Sequence, residues 1–329
     1  MRKTVLAIVL LWVCSVGRVA AQVDPHFTQY YAYPVWLNPA FTGLIDGNYR
    51  VGGNYRQQLP GLYAPMNTQA ITADFVLPKN FGMGVTVLKQ RSNDAGYQLL
   101  NGYLSLSYQA HLGKYQILSS GFQFGMINRK IDPGKLQFGS QFNPAIGYDP
   151  SIPSSEVFAY QSATSIDGSF GLLYFDGDPS KKINPYIGFS LYHPTQPNSR
   201  FLSAGDENKI DVRYSFHGGV RLQAGNGLAL IPHLLYQKQG DADELSAGLV
   251  CNLKIEDGKD LILGGTYRKE DAIAPNIGLH LNGLTIGFSY DVNVSTLKTA
   301  SSSNGGYELS ISFTGRKKIP DTKFICPRL

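Results

Sequence analysis

From residue 48 almost to its end the chain alternates apolar and polar side chains with a period of two, the spacing of a strand with one greasy and one wet face. In Leu284, Thr285, Ile286, Gly287, Phe288, Ser289, Tyr290, Asp291, Val292, every even position is apolar or aromatic and every odd one is small or polar. Val212, Tyr214, Phe216, Val220 and Leu222 stand against Arg213, Ser215, His217 and Arg221 in the same way. So do Tyr307, Leu309, Ile311 and Phe313 against Glu308, Ser310, Ser312 and Thr314. Fourteen such segments begin near Tyr49, Asn67, Phe81, Tyr97, Tyr115, Ala163, Ile183, Asp211, Gly227, Asp243, Asp260, Ile273, Leu284 and Tyr307. An even number of antiparallel strands is what a closed single-chain bacterial barrel requires.

A soluble sandwich also alternates, but it rarely sets Arg, His and Asp opposite so many aromatics without a large charged exterior. A propeller would repeat in fours, and no such period occurs. The pattern therefore predicts an all-β fold, a 14-stranded antiparallel transmembrane outer-membrane β-barrel spanning residues 48–315. Its phase turns Ile286, Phe288 and Tyr290 to lipid and Thr285, Ser289 and Asp291 to the lumen. After every second strand there is a tight break, at Pro78 to Asn80, Gly113 with Lys114, Gly177 to Lys182, Gly225 with Asn226, Glu256 to Lys259, and Asn282 with Gly283. The alternate connections are longer or more variable, notably 131–162, 194–210 and 294–305. Short periplasmic turns and long external loops are the usual asymmetry of such barrels, so both termini are expected in the periplasm, the second as a tail of residues 316–329.

Residues 1–21 carry a basic head at Arg2 and Lys3, a short apolar run from Val5 to Val13, and small residues at Ala20 and Ala21. This is a secretory signal peptide, too short in its apolar part for a membrane anchor. No later apolar run is long enough for a membrane-crossing helix. Cys14 follows Val13 where a lipoprotein signal wants a small residue, which argues against lipidation. Cys251 and Cys326 are placed too unlike one another to indicate a disulfide framework, and Cys251 suits a small apolar filler. Of the formal charge of +5, three positive charges lie in the leader (Arg2, Lys3, Arg18), which leaves +2 for the mature chain and no call for nucleic acid. Charged residues make up only 16%, against about 25% in ordinary soluble domains.

Candidate chemistry is sparse. The histidines, His26, His111, His193, His217, His233 and His280, form no close pair at metal-ligand spacing. Strand phase points His111, His217, His233 and His280 into the lumen as polar wall residues. There is no G-x-S-x-G elbow, phosphate loop or carboxylate pair on one strand face, so no metal, cofactor or catalytic set is expected. A Ser-His-Asp set assembled from separate strands would escape notice in sequence order. Gly82 with Gly84, Gly218 with Gly219 and Gly264 with Gly265 lack a following helix and suit bends or close packing within strands.

The segment before the barrel, residues 22–47, differs from the rest. Asp24, Pro25, His26, Phe27, Thr28, Gln29, Tyr30, Tyr31, Ala32, Tyr33, Pro34, Val35, Trp36, Leu37, Asn38, Pro39, Ala40, Phe41, Thr42, Gly43 is too rich in proline for a regular strand or helix and too aromatic for a solvated linker. Something must bury it. Two readings are open: an internal plug against the lumen, or a periplasmic docking surface. In the second, Asp24, Pro25, His26, Phe27, Gln29, Tyr30, Tyr31, Trp36, Asn38, Pro39 and Phe41 form an exposed partner-binding patch.

This opening resembles that of the PorP/SprF family, outer-membrane proteins of the type IX secretion system of Bacteroidetes. Similar matches are Asn54 to Gln58 (N-Y-R-Q-Q), Gly264 to Arg268 (G-G-T-Y-R), Gly287 to Val292 (G-F-S-Y-D-V), the closing strand Tyr307 to Phe313, and Cys326 with Pro327. The chain departs from the family at the entry to its last strand, where Gly305, Gly306, Tyr307, Glu308 stand in place of a Gly-Ser-His-Glu type sequence. The resemblance implies a non-enzymatic accessory component that helps export or attach large cell-surface proteins, such as gliding adhesins. Its implied partners are other secretion or gliding components and the exported proteins, and its setting is outer-membrane lipid. The rival expectations are a passive porin or uptake channel and an outer-membrane hydrolase. A lumen filled by the N-terminal segment favours the adaptor; an open one favours the porin.

Overall fold

The computed structural model describes residues 24–61, 64–92, 94–154, 156, 158, 160–198 and 209–316. The signal peptide, Cys14, Cys326, most of the tail 316–329 and part of the loop 194–210 lie outside them. Fourteen strands close one antiparallel barrel. They are β1 (Tyr49–Gln58), β2 (Met66–Leu77), β3 (Phe81–Ser92), β4 (Tyr97–His111), β5 (Gln116–Ile131), β6 (Ser162–Asp176) and β7 (Ile183–Tyr192), followed by β8 (Arg213–Ala224), β9 (Leu228–Gln239), β10 (Ala242–Glu256), β11 (Lys259–Arg268), β12 (Ala272–Leu281), β13 (Leu284–Asn293) and β14 (Asn304–Gly315). Each pairs with its sequence neighbours, and β1 closes on β14 from Tyr49↔Gly315 to Gln58↔Gly306, which removes every free edge.

The side chains sort as the period-two pattern demands. Ile71, Leu104, Phe122, Phe124, Met126 and Ile187 are 58–66% exposed on the outer wall, while Thr72, Ser105, Gln123 and Ser169 are buried inside it. Phe288 is exposed at 40% where Ser289 is at 0%, so the lipid and lumen phase of β13 stands. Among the described residues no helix is long and apolar enough to cross a membrane; the strands do so.

The turns after even-numbered strands are tight for local reasons. Lys79 and Asn80 both adopt positive φ (60° and 65°), as do Asn282 and Gly283 (50° and 97°), which is the backbone twist a two-residue hairpin requires. At the other end the connection from β5 to β6 carries a short hairpin, Phe142–Asn143 with Gly147–Tyr148. Two connections at this long-loop end are nevertheless short, Gly240 with Asp241 and Lys269 to Asp271, so the asymmetry is carried by the remaining loops.

Candidate functional site

Residues 24–47 lie inside the barrel. The local sequence forbids regular structure there, and the chain takes a 3-10 turn at Tyr30–Ala32, one helical turn at Pro34–Leu37 and a second 3-10 turn at Pro39–Phe41. Such short turns leave most main-chain carbonyls without an internal partner, and a buried carbonyl needs one. The lumenal wall supplies them. Gln123 Nε2 donates to the Val35 carbonyl (3.2 Å), Tyr192 Oη to Trp36 (2.6 Å), Ser190 Oγ to Leu37 (2.9 Å), and Ser119 Oγ to Ala40 (2.7 Å). Ser107 Oγ donates to Thr42 (2.5 Å) and Gln109 Nε2 to Gly43 (3.1 Å).

The wall is shaped for this path. Gly82, Ser107, Gly121, Gly171, Ser190 and Ser215 stand directly opposite one another across β3 to β8, a row of the smallest residues around almost half the barrel. A Cβ on Gly82 would overlap the Thr42 carbonyl, one on Gly121 the Pro39 carbonyl, and one on Gly171 the Asn38 side chain. Asn38 is fully buried and acts as the central peg: its Nδ2 donates to the carbonyls of Leu172 (2.9 Å) and Phe189 (3.1 Å) and lies 3.1 Å from His217 Nε2, while its Oδ1 accepts from the Ala40 amide (2.9 Å). Phe41 stacks on His217, and Tyr30 Oη bonds His233 Nδ1. These two histidines are therefore partners of the inner segment. His280 instead bonds Thr285 at 2.9 Å, and His111 is exposed at the end of β4.

The segment runs lengthwise through the bore. Gly43 is held at the short-turn end, where its amide donates to Asp74 (2.8 Å), a carboxylate shared with Arg50 (2.9 Å). Asp24 sits at the opposite, long-loop end, 2.7 Å from His193 Nε2 and 3.2 Å from Arg213. His193 Nδ1 meets Asp167 at 2.8 Å, and Asp167 accepts from Tyr103 Oη at 2.6 Å. Burial alone would depress the His193 imidazole, but the carboxylates of Asp24 and Asp167 override it and raise its pKa to about 9. Both ring nitrogens are thereby occupied by carboxylates, so this histidine has none left to act as the base of a serine triad. The Arg213 guanidinium lies 4.1 Å over Tyr192 and 5.5 Å from the ring of Trp36.

A second charged cluster lies beside the first. The amides of Thr28 (2.7 Å) and Gln29 (3.1 Å) donate to Glu308. Arg56 spans Asp291 (2.8 Å) and Glu308 (3.2 Å), and Arg268 completes the set on Asp291 (2.8 Å). All four are nearly without solvent contact, so their charges must be matched in place.

All eleven residues proposed from sequence thus lie within the lumen. Asp24, Pro25, Phe27, Gln29, Tyr30, Trp36, Asn38, Pro39 and Phe41 are buried, and His26 and Tyr31 are half-buried. The expected exposed patch is absent from this conformation because the barrel wall covers it. Within the described residues the segment threads back through the bore and leaves Asp24 at the mouth opposite Gly315; the two chain ends lie outside these residues. Sequence reasoning passed over His193, Arg56, Arg268 and Asp167 as site residues; their only signal was a charge in lumenal phase near a strand end.

Comparison with known proteins agrees with this architecture. The Ralstonia pickettii toluene transporter TbuX matches with TM-score 0.50 and 11% identity, over 86% of this chain and 92% of that one. A mutant of the monoaromatic hydrocarbon channel TodX matches with TM-score 0.50 and 10% identity, over 84% and 92%. At these identities the likeness shows the barrel fold alone. No curated protein sequence matches. The family described as "Type IX secretion system membrane protein PorP/SprF" matches residues 19–313, nearly the whole chain. With its closed outer-membrane-type barrel and its threaded aromatic segment, the chain belongs to the PorP/SprF family of type IX secretion system membrane proteins.

Proposed function

We propose that this chain is a non-enzymatic accessory barrel that helps export or attach large cell-surface proteins by holding secretion partners, and that it is not a passive pore. The observation that carries this reading is the occupied lumen. A passive, continuously open porin needs a free bore, whereas here a segment of the chain itself runs from one mouth to the other with its carbonyls individually bonded to the wall. Where Arg213 of the first charged cluster adjoins Trp36, the void left beside the segment is about 10 Å³, room for roughly one water. The short turns face the periplasm, the long loops face outward, and the segment couples the two mouths. Partner binding then depends on how the segment is seated.

The test is the double variant Tyr30→Ala with Trp36→Ala. It removes two buried anchors and leaves all fourteen strands intact. The expected outcome is a heat-modifiable, folded barrel on gels with reduced surface display of an exported adhesin. Normal display from a folded double variant overturns the reading, and a barrel that fails to fold would make the segment structural packing only.

A further inference from the structure

The segment does not fill the bore evenly. It is seated on β3 to β8, and against β10 to β14 and the start of β1 it leaves a cavity of about 720 Å³, within the range of small-ligand sites. The lining includes Gly258, Asn282, Gly283 and Arg316, all at the short-turn end, so the cavity opens there. Its inner end is closed by Gln29, whose amide is fixed by Ser310 (2.8 Å), Ser289 (3.3 Å) and the Glu308 carbonyl (3.1 Å).

Three features specify what this slot takes. The first is its shape. On β14 the lining runs from Ser310 to Arg316, roughly 20 Å along a strand and about 15 Å along the axis of a tilted barrel. That volume over that depth gives a cross-section of about 48 Å², which is the section of one extended polypeptide chain, about 4.8 by 10 Å.

The second is its polarity. Asn276 is 8% exposed and lines the cavity, and neither its Oδ1 nor its Nδ2 has a partner; the Oδ1 of Asn252 on the neighbouring wall is unpartnered as well. A carboxamide offers one acceptor and two donors, the complement of a peptide unit, and leaving a buried one unmet is unfavourable. The third is charge. The two lining arginines are already held, Arg50 by Asp74 and Arg316 by Asp46, and the lining carboxylate Asp260 stands directly across from Lys254 on the next strand, so the slot is built for a neutral ligand. Around the carboxamides the wall is shaved to Gly278, Gly287 and Ser312, and Tyr31 and Leu44 of the inner segment form an apolar floor.

We propose that this slot binds an extended, uncharged peptide segment of about four residues, entering from the short-turn end, with Asn276 and Asn252 pairing its main chain. The proposal deepens the partner-holding role above and rests on it. It is tested on the full-length protein folded in detergent, with Cys14, Cys251 and Cys326 changed to serine and Ser312→Cys as a reporter inside the slot. The probe is a pool of acetylated, amidated tetrapeptides of Ser, Thr, Val and Leu, with maltotetraose as the contrasting ligand.

The peptides slow maleimide labelling of the reporter in a saturable way and the sugar does not. Asn276→Leu raises the concentration required by roughly tenfold. If that variant does not fold, Asn252→Leu takes its place. No protection at millimolar peptide, equal protection by maltotetraose, or an unchanged requirement in a folded variant overturns the slot. Such a result leaves the export role standing, because that rests on the seated segment. Normal display in the Tyr30→Ala, Trp36→Ala variant together with peptide protection has the opposite meaning.

Discussion

At the scale of single residues, the site depends on matching charge where solvent is excluded. His193 sits just past the end of β7 at φ 57°, a backbone conformation uncommon for a non-glycine residue, and in that position it bridges Asp24 of the inner segment and Asp167 of the wall. Its raised pKa has a definite consequence for pH. The bridge contributes fully below the ordinary histidine value and is lost as pH rises through about 9, because the deprotonated ring no longer compensates both carboxylates. Trp36 is the sole tryptophan after the leader, so its fluorescence reports on the segment alone. Acrylamide quenching of Trp36 is expected to rise between about pH 8 and 10 in the native protein. In His193→Asn, which cannot titrate, quenching is high and flat over that window. An identical pH step in the variant would rule out His193 as its source. The position was legible in sequence only as an isolated histidine, since Asp24, Asp167 and His193 come together through the threading of the segment.

At the scale of elements, strand and seat are specified in different ways. The fourteen strand starts expected from alternation fall within three residues of those observed, the largest difference being Asn304 against Tyr307. Each strand carries its own two-faced pattern, so its position needs no knowledge of its neighbours. The glycine seat is different. Of the three, Gly82 alone stands out in sequence as a point of close packing, and only the register across β3 to β6 aligns it with Gly121 and Gly171 in one row. Gly121→Ala and Gly171→Ala should each overpack the seat by roughly 1–3 kcal/mol, which the loosely tethered segment absorbs more readily than the strand ladder. Trp36 quenching then rises while the barrel keeps its heat-modifiable mobility. Gly102→Ala, where an added Cβ meets nothing within 4 Å, is the matched control and should leave both readouts unchanged. Equal responses at Gly102 and Gly171 would dispose of the seat.

At the scale of the whole molecule, the barrel and its inner segment are separable, because the strands satisfy their main-chain hydrogen bonds among themselves. Deleting residues 24–43 should therefore leave a folded, heat-modifiable barrel whose lumen conducts ions in planar bilayers, in contrast to the native protein. A deletion variant that folds without gaining conductance would mean that wall side chains close the bore unaided. The sequence by itself determined the all-β class, the strand count, the lipid and lumen faces and the tight turns, because each is written in the two-residue period or in a local backbone preference. It also marked residues 24–43 as a segment that must be buried. Where that burial occurs was decided by the tertiary structure alone. An exposed docking patch and a lumenal plug require the same aromatics and prolines, and they differ only in whether a wall of small side chains and hydroxyl donors stands at the right height. That wall is assembled from six strands 133 residues apart at its extremes, from Gly82 to Ser215, and it exists only once their register is set.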